Sequence, residues 1–241
     1  MNVTNFFIKD FGQTNFIARI EWLKNKLINL PNGIKLIDAG AGELFYKQFC
    51  KHLNYVSQDF CQYDGVGNGS GYQMSSWDTS KIDIVSDIMD IPVEDCSFDA
   101  VLCSEVFEHI PDPNKAFEEL DRILKPGGEL LITAPFCSMT HFAPYHYCSG
   151  FNKYYWENLL STRYEIIEIT SYGNYFEYLG QEIRAMGRNY ELYTGKHWGI
   201  WRKLLTLMTL VMLKKINSID GVNNSAELLT FGYMVHAKKK L

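Results

Sequence analysis

One short stretch constrains the fold of this chain more than any other. Residues 34–43 read IKLIDAGAGE, an apolar strand that ends on Asp38 and breaks into a loop with two glycines. We predict a helix after the loop, from Leu44 to Leu53. A strand, a glycine-rich turn and a helix in this order let the backbone approach a ligand closely and aim unpaired N–H groups at it. Plain tight turns share this composition, so the loop alone does not identify a site.

Two more carboxylates follow predicted strands. Asp59 closes a predicted strand at residues 54–59, and Asp87 follows one at residues 81–86. Open α/β sheets bind ligands at the carboxyl ends of their strands, where an acidic residue meets the ribose hydroxyls of a nucleoside. Each carboxylate alone has a second interpretation, as a helix cap or a turn former. Three carboxylates in succession predict a nucleoside site.

Four segments, taken together, resemble a known family. They are similar in order and spacing to the signatures of class I S-adenosylmethionine-dependent methyltransferases, specifically the type 11 group, and cover roughly residues 15–172. The segments are LIDAGAGE (36–43), VSQDF (56–60), SDIMDIPVEDCSFDAVLCSEVFEHI (86–110) and LKPGGELLITAPF (124–136). Leu44 departs from the family pattern, which has a small residue at that position. The resemblance implies that the cofactor is S-adenosyl-L-methionine.

The resemblance also implies an α/β fold. We expect a Rossmann-like, seven-stranded, mostly parallel sheet with an antiparallel last strand and helices on both faces. Apolar residues at three- and four-residue intervals predict a helix at residues 14–30, and a second helix starts at Asp112 and ends near Lys125. The later strands are predicted at residues 98–104, 129–134, 164–170 and 229–237.

Residues 1–241 are predicted to form a single methyltransferase domain with a helical insertion at 173–228, between the sixth and seventh strands. The insertion contains an apolar run within residues 198–215, whose flanks carry Arg202, Lys203, Lys214 and Lys215. The uninterrupted apolar part is about half of what spans a bilayer. Three interpretations stay open: a lid or dimer helix, a membrane-surface helix, and an ordinary core helix.

The resemblance assigns the nucleoside end of the cofactor to the second and third strands. Asp59 is expected to accept hydrogen bonds from the two ribose hydroxyls. Asp87 and the backbone of Ile88 are expected to meet the adenine, with Phe60 as an apolar wall. Residues 61–80, which are rich in Gly and Ser, predict a long loop. It either borders the adenosine through Phe60, Tyr63 and Trp77 or is disordered at the surface.

The resemblance assigns the methionine end of the cofactor to the first and fourth strands. The loop at Ala39, Gly40 and Gly42 is expected to pass under the methionine moiety. Asp38 is expected to fix this loop and to reach the ammonium group directly or through water. Contacts to the methionine end are also implied for two residues at the end of the fourth strand, Ser104 and Glu105.

The acceptor side is predicted from the aromatic and histidine-rich segment 136–147. His141 and His146 are the candidate general bases, since imidazole titrates near neutral pH. The alternative is that both rings bind backbone groups and hold the loop. We expect His109 to be structural, bonded to Glu108 or to the sheet edge. A metal site built from His141, His146 and Cys148 lacks standard ligand spacing, so no metal is predicted.

Composition limits the function classes. The 241 residues carry a formal net charge of −5, which argues against a nucleic-acid partner held by phosphate contacts. Six cysteines without a C-x-x-C pair indicate reduced thiols, and the first residues lack the pattern of a signal peptide. We therefore expect a cytoplasmic location.

The predicted activity is methyl transfer from S-adenosyl-L-methionine to a small-molecule hydroxyl or amine, with sugar nucleotides and glycan precursors among the candidate acceptors. One alternative is a non-catalytic, methyltransferase-like module that binds the cofactor or a partner. A weaker alternative is a nicotinamide-dependent reductase. The dinucleotide fingerprint needs a small residue where this chain has Phe45.

Overall fold

The computed structural model describes residue 8, residues 10–219 and residues 224–241. These residues fall into two compact units. One unit contains the described residues up to Arg19 together with Ser171–Phe231, and the other contains Ile20–Thr170 and Gly232–Leu241. The second unit carries nearly all of the sheet.

The sheet has seven strands in the order β3-β2-β1-β4-β5-β7-β6. The pairs from β3 to β5 are parallel, whereas β7 runs antiparallel to β5. The predicted sheet with its antiparallel last strand is therefore confirmed. The strands are β1 (Lys35–Ala39), β2 (Asn54–Asp59), β3 (Ile84–Val85), β4 (Phe98–Ser104), β5 (Leu124–Pro135), β6 (Tyr164–Tyr172) and β7 (Gly232–Lys239).

Both faces of the central strands are apolar, which is why they form a parallel sheet covered on two sides. In β1, Ile37 belongs to the core on one face, together with Val101 of β4. Leu36 belongs to the core on the other face, with Ala100 of β4 and Leu23 of the first helix. Successive side chains of a strand point to opposite faces, so each strand supplies both cores.

Within the described ranges, five α-helices accompany the sheet: α1 (Asn15–Ile28), α2 (Pro113–Ile123), α3 (Lys153–Leu160), α4 (Tyr175–Thr194) and α5 (Ile200–Asn217). Asp112 caps α2 by accepting from the Lys115 N–H, and a proline follows at the first helical position. Helices α1, α2 and α5 confirm the helices predicted at residues 14–30, after Asp112, and within 198–215.

Two predicted elements were wrong in extent. Instead of a helix at Leu44–Leu53 there is a short 3-10 helix, Phe45–Phe49, because Leu44 adopts a left-handed conformation with φ 62°. Instead of a strand at residues 81–86 there is only β3. The Asp83 carboxylate accepts from the backbone N–H of Ser57 at 2.9 Å and so occupies the donor that a longer strand would pair with.

The other unit contains α4 and α5. Its core includes Ile8, Phe11, Leu210 and Leu213. Along α5 the exposed apolar residues Trp201, Leu205, Met208 and Met212 follow one another at three- and four-residue intervals and form one face, with Trp201 76% exposed. No helix within the described residues is long and apolar enough to cross a membrane. This exposed face argues against an ordinary core helix.

Candidate active site

A cavity of about 450 Å³ opens at the carboxyl ends of β1, β2 and β4. This volume lies within the range of small-molecule pockets. The chain crosses from β1 to β2 on one side and later places β4 on the other, and such a reversal of strand order marks the ligand crevice of open α/β sheets. Seven of the predicted cofactor residues line the cavity: Gly40, Gly42, Asp59, Phe60, Asp87, Ile88 and Glu105.

The glycine loop is held by the end of β2. The N–H groups of Gly40 and Ala41 both donate to the Gln58 carbonyl, at 2.8 and 2.9 Å. The N–H of Gly42 donates to the Asp59 carboxylate at 3.0 Å. The expectation that this loop aims unpaired N–H groups at a ligand is therefore wrong, because β2 accepts all three.

The same loop lies in close contact with neighbouring side chains. Gly40 and Gly42 have φ of 76° and 51°, a region that favours glycine. A Cβ on Gly42 would come within 2.6 Å of the Trp77 ring, and a Cβ on Gly40 would overlap the Val106 side chain. The missing side chains thus let Trp77 and Val106, which both line the cavity, approach the loop.

Two carboxylates on the cavity wall can accept hydrogen bonds beyond those they already form within the chain. Asp59 is buried and accepts from the N–H groups of Gly42 and Cys61, at 3.0 and 2.9 Å. Asp87 is exposed and accepts from the Met89 N–H at 2.8 Å. An ionised carboxylate has about four lone-pair sites, so each can accept further hydrogen bonds from a ligand hydroxyl or amine.

Gln58 is a wall residue that the sequence analysis missed. Its side-chain amide donates to the Ser86 carbonyl at 2.7 Å, and its amide oxygen accepts from Gly40 at 3.3 Å. Gln58 thereby connects the glycine loop to the segment that carries Asp87. The sequence does contain a signal for Gln58, because it lies beside Asp59 at the end of an apolar strand. A polar side chain buried there needs hydrogen-bond partners.

The structure places three predicted cofactor residues away from the cavity wall. Asp38 is buried and accepts from the Tyr55 hydroxyl at 2.6 Å. Ala39 is buried in the core cluster. Ser104 bonds to Thr133 at 2.9 Å and to Tyr46 at 3.2 Å. A contact of Asp38 with the cofactor's ammonium group stays a prediction.

Two loops close over the cavity together. Phe142 N donates to Tyr72 O at 2.9 Å, and Tyr72 N donates to Thr140 O at 3.0 Å, which joins residues 61–80 to the loop after β5. Residues 61–80 contain neither helix nor extended strand, as predicted. Phe142 stacks on Tyr63 with ring centroids 4.6 Å apart, and both rings line the cavity.

The two predicted general bases do not line the cavity. His141 Nδ1 lies 2.9 Å from the Met139 carbonyl, and His146 Nε2 lies 3.1 Å from the Ser138 hydroxyl. These contacts match the alternative in which the rings hold the loop. His109 instead lines the cavity, although the sequence analysis gave it a structural role. Its ring stacks on Phe142 at 5.3 Å.

Burial keeps the wall histidine neutral. Burial, together with the neighbouring His141 and His146, lowers the pKa of His109 from 6.5 to about 3, while the bond to the Tyr145 carbonyl opposes them. Burial, followed by the influence of His141, also lowers the pKa of His146. Near neutral pH both imidazoles therefore offer a lone pair rather than a charge.

Comparisons with known proteins agree with this geometry. Residues 68–132 match the family model described as a methyltransferase domain. The ubiquinone biosynthesis O-methyltransferase of Xanthomonas oryzae pv. oryzae is 44% identical over 50 residues, covering 20% of this chain and 21% of its own length. The sarcosine/dimethylglycine N-methyltransferase of Aphanothece halophytica is 28% identical over 122 residues, covering 49% and 44%.

Solved structures show the same fold. The chain is similar to a proposed sarcosine dimethylglycine methyltransferase from Galdieria sulphuraria, with a TM-score of 0.51 and 16% identity over 95% of this chain and 86% of that one. It is also similar to the [4+2]-cyclase SpnF, with a TM-score of 0.53 and 17% identity over 93% and 81%.

The matched family model and the methyltransferase relatives together support a class I S-adenosylmethionine-dependent methyltransferase. The matched segments span about half or less of the length of the curated relatives. The cofactor of this class is S-adenosyl-L-methionine.

The wall residues suit that cofactor. The carboxylates of Asp59 and Asp87 and the apolar side chains of Ile88 and Phe60 line the same cavity. Carboxylates accept from hydroxyl and amine groups of the kind that this cofactor carries. At Gly40 and Gly42 the cavity is narrow, because a Cβ there would meet Val106 or Trp77. The chemistry of the cavity wall is therefore compatible with S-adenosyl-L-methionine.

The buried carboxyl group of Asp38 has an unusual protonation equilibrium. Burial raises its pKa from 3.8 to about 7, the Tyr55 hydroxyl bond opposes this, and the charge of Asp59 adds to it. When folding raises the pKa of a group, its contribution to stability is fully present at pH values below the unfolded-state pKa. The contribution is lost as the pH rises through the folded-state pKa.

We therefore predict that Asp38→Asn has a higher melting temperature than the wild type above pH 7, with a difference that shrinks as the pH falls toward 3.8. Asparagine cannot ionise, yet it can still accept from Tyr55. Asp83→Asn is the control of opposite sign, because hydrogen bonds from Ser57 lower the pKa of Asp83. Thermal melting across pH checks both variants. If the difference in melting temperature between Asp38→Asn and the wild type does not change with pH, the raised pKa of Asp38 is contradicted.

Proposed function

We propose that this chain transfers a methyl group from S-adenosyl-L-methionine to a hydroxyl or amine of a ring-containing small molecule. The observation that carries the proposal is the convergence of the glycine loop, Asp59 and Asp87 on one cavity at the switch point of the sheet. Curated relatives that transfer methyl groups to oxygen and nitrogen support the reaction class.

The cofactor would lie along the ends of β1 and β2. In this proposal Asp59 accepts hydrogen bonds from the ribose hydroxyls and Asp87 accepts from the adenine amine. Ile88 and Phe60 cover the base, and Phe60 is fixed by an edge contact with Tyr145 at 5.0 Å. Bonds from Gly42 and Cys61 already orient Asp59, so little side-chain freedom would be lost on binding.

Bound S-adenosyl-L-methionine supplies an electrophilic methyl group. What the chain has to provide is alignment of the acceptor in a site without bulk water, and such orientation can contribute about 7–11 kcal/mol. The joined loops carrying Tyr63 and Phe142 form a wall over the cavity that would exclude water. Because the pKa of His109 is about 3, its ring on the cavity wall adds no positive charge beside the cofactor's sulfonium.

The cavity chemistry narrows the acceptor class. Among the described residues, no lysine or arginine lines the cavity, so a diphosphate group would find no basic side chain to pair with there. This disfavours a sugar nucleotide. The rings of Tyr63, Trp77, Phe142 and Tyr147 favour a flat aromatic or quinol-like acceptor, which stacks on such surfaces.

The alternative function is a cofactor-binding module without methyl transfer. The structural similarity to a cyclase supports keeping it, since one fold hosts more than one chemistry. Calorimetry and a methyl-transfer assay together separate a methyltransferase, a cofactor-binding module and a reductase. For a methyltransferase we expect binding of S-adenosyl-L-methionine but not of NADH, and transfer of a labelled methyl group to a member of a panel of phenols, catechols and amines. Binding without any labelled product favours the module, and binding of NADH favours a reductase.

We predict that Asp87→Asn weakens S-adenosyl-L-methionine binding by about tenfold to a hundredfold, the loss of a hydrogen bond to a charged group. Asn can still accept from the Met89 N–H, so the turn is retained. Asp90→Asn is the matched control, because Asp90 is exposed, lies three residues away and does not line the cavity. Equal affinities for the wild type and both variants, measured by calorimetry, would contradict the assignment.

We further propose that α5 binds the surface of an anionic bilayer. Its exposed face carries Trp201, Leu205, Met208 and Met212, and basic side chains lie at both ends of the helix. A helix with an apolar face that includes Trp and with flanking Lys and Arg residues binds at the headgroup boundary by burying that face and pairing with lipid phosphate.

We predict that the wild type co-sediments with phosphatidylserine vesicles more than with phosphatidylcholine vesicles, and that the double variant Trp201→Ser, Leu205→Ser loses this binding. Tyr154→Ser is the control, since Tyr154 is similarly exposed on α3. Retention of vesicle binding by the double variant would refute the proposal. If the double variant instead changes a dimer into a monomer in light scattering, the face is an interface between copies.

A further inference from the structure

We propose that Glu108, His109 and His141 bind a divalent transition-metal ion at the wall of the cavity. Glu108 and His109 belong to the 3-10 turn Phe107–His109 after β4, and His141 belongs to the loop after β5. One possible ligand atom from each side chain lies within 4.8 Å of the other two. Two imidazoles and a carboxylate form a recurrent ligand set for such ions.

The hydrogen bonds of the two imidazoles aim their lone pairs at the carboxylate. His109 Nδ1 bonds to the Tyr145 carbonyl, and His141 Nδ1 bonds to the Met139 carbonyl. A carbonyl oxygen only accepts, so each Nδ1 carries the hydrogen and each Nε2 of a neutral ring keeps its lone pair. Metal-ligating histidines are oriented by this same arrangement, with the other N–H donated to a carbonyl or carboxylate.

The spacing of these atoms suits a metal ion better than a shared proton. His109 Nε2 and His141 Nε2 lie 3.7 and 4.0 Å from Glu108 Oε1. Both distances are too long for hydrogen bonds, which need about 2.7–3.2 Å. Ligands about 2.0–2.2 Å from a tetrahedral ion lie about 3.4 Å from one another. The three candidate atoms lie within 4.8 Å of one another, so metal binding would draw the side chains together.

The site is braced by its surroundings. Glu108 is 1% exposed, and its backbone carbonyl accepts from the N–H groups of Tyr147 and Cys148 at 2.9 and 3.3 Å. The His109 ring stacks on Phe142 with an angle of 16° between the planes. A carboxylate this deeply buried is favoured by a nearby cation. Because His109 lines the cavity, a metal ion bound to it would lie next to a ligand in the cavity.

The ligand set indicates the class of metal and its role. Imidazole nitrogen suits Fe²⁺, Ni²⁺, Cu²⁺ and Zn²⁺, whereas Mg²⁺ and Ca²⁺ prefer oxygen ligands. A bound ion would coordinate the acceptor hydroxyl and lower its pKa, so that its proton passes to water before methyl transfer. This role rests on the proposed function, whereas the metal site itself does not.

Titration of the purified full chain with Co²⁺ tests the site, followed through its visible absorption. We expect saturable binding of one ion, displaced by Zn²⁺. Loss of a ligand in His141→Ala should weaken Co²⁺ binding by at least about tenfold to a hundredfold. His197→Ala is the control, because His197 also pairs with a carboxylate, Glu191 at 2.9 Å, but is highly exposed. Thermal melting verifies that both variants are folded.

The outcomes separate the metal site from the proposed function. No saturable Co²⁺ spectrum, or equal losses in His141→Ala and His197→Ala, overturns the metal site even if methyl transfer is found. Saturable binding with the expected losses supports the site even if no acceptor is methylated. A chelator that reduces methyl transfer while leaving calorimetric cofactor affinity unchanged supports the acceptor-side role, and equal loss of cofactor affinity overturns that role.

Discussion

The site depends on the hydrogen bonds that join the glycine loop to the end of β2. Gly40 and Ala41 donate to the Gln58 carbonyl, and Gly42 donates to the Asp59 carboxylate. These bonds fix the turn after β1 and orient the carboxylate that faces the cavity. The Gln58 side chain extends the same network to Ser86, next to Asp87. The ends of three neighbouring strands are thereby held as one unit around the cavity.

Much of this site could be predicted because strand ends leave a clear sequence signal. Gly40, Gly42, Asp59 and Asp87 each follow or close an apolar run, and the sheet brings the ends of such runs to one edge. The central strands were predicted for the same reason. Asp38 looked equivalent in sequence, but Tyr55 covers it and it is buried off the cavity wall.

The features that could not be predicted depend on local backbone conformation or on contacts between segments far apart in sequence. The helix expected after the loop is a short 3-10 helix, because Leu44 turns into the left-handed region. The cavity reaches His109 rather than His141 or His146, and the loop after β5 that carries these two pairs with Tyr72 of the long loop. Spacing along one chain does not encode such a pairing, so the histidine on the wall could not be chosen from sequence.

The central proposal is that a nucleoside binds over the glycine loop. The calorimetric affinity of Gly42→Ala for S-adenosyl-L-methionine tests this proposal most directly. Gly33→Ala is the matched comparison, because Gly33 has φ of 79° but nothing within 4 Å of an added Cβ, whereas a Cβ on Gly42 would meet Trp77. The account predicts that Gly42→Ala loses binding and that Gly33→Ala binds like the wild type. Equal affinities in the two variants would contradict it.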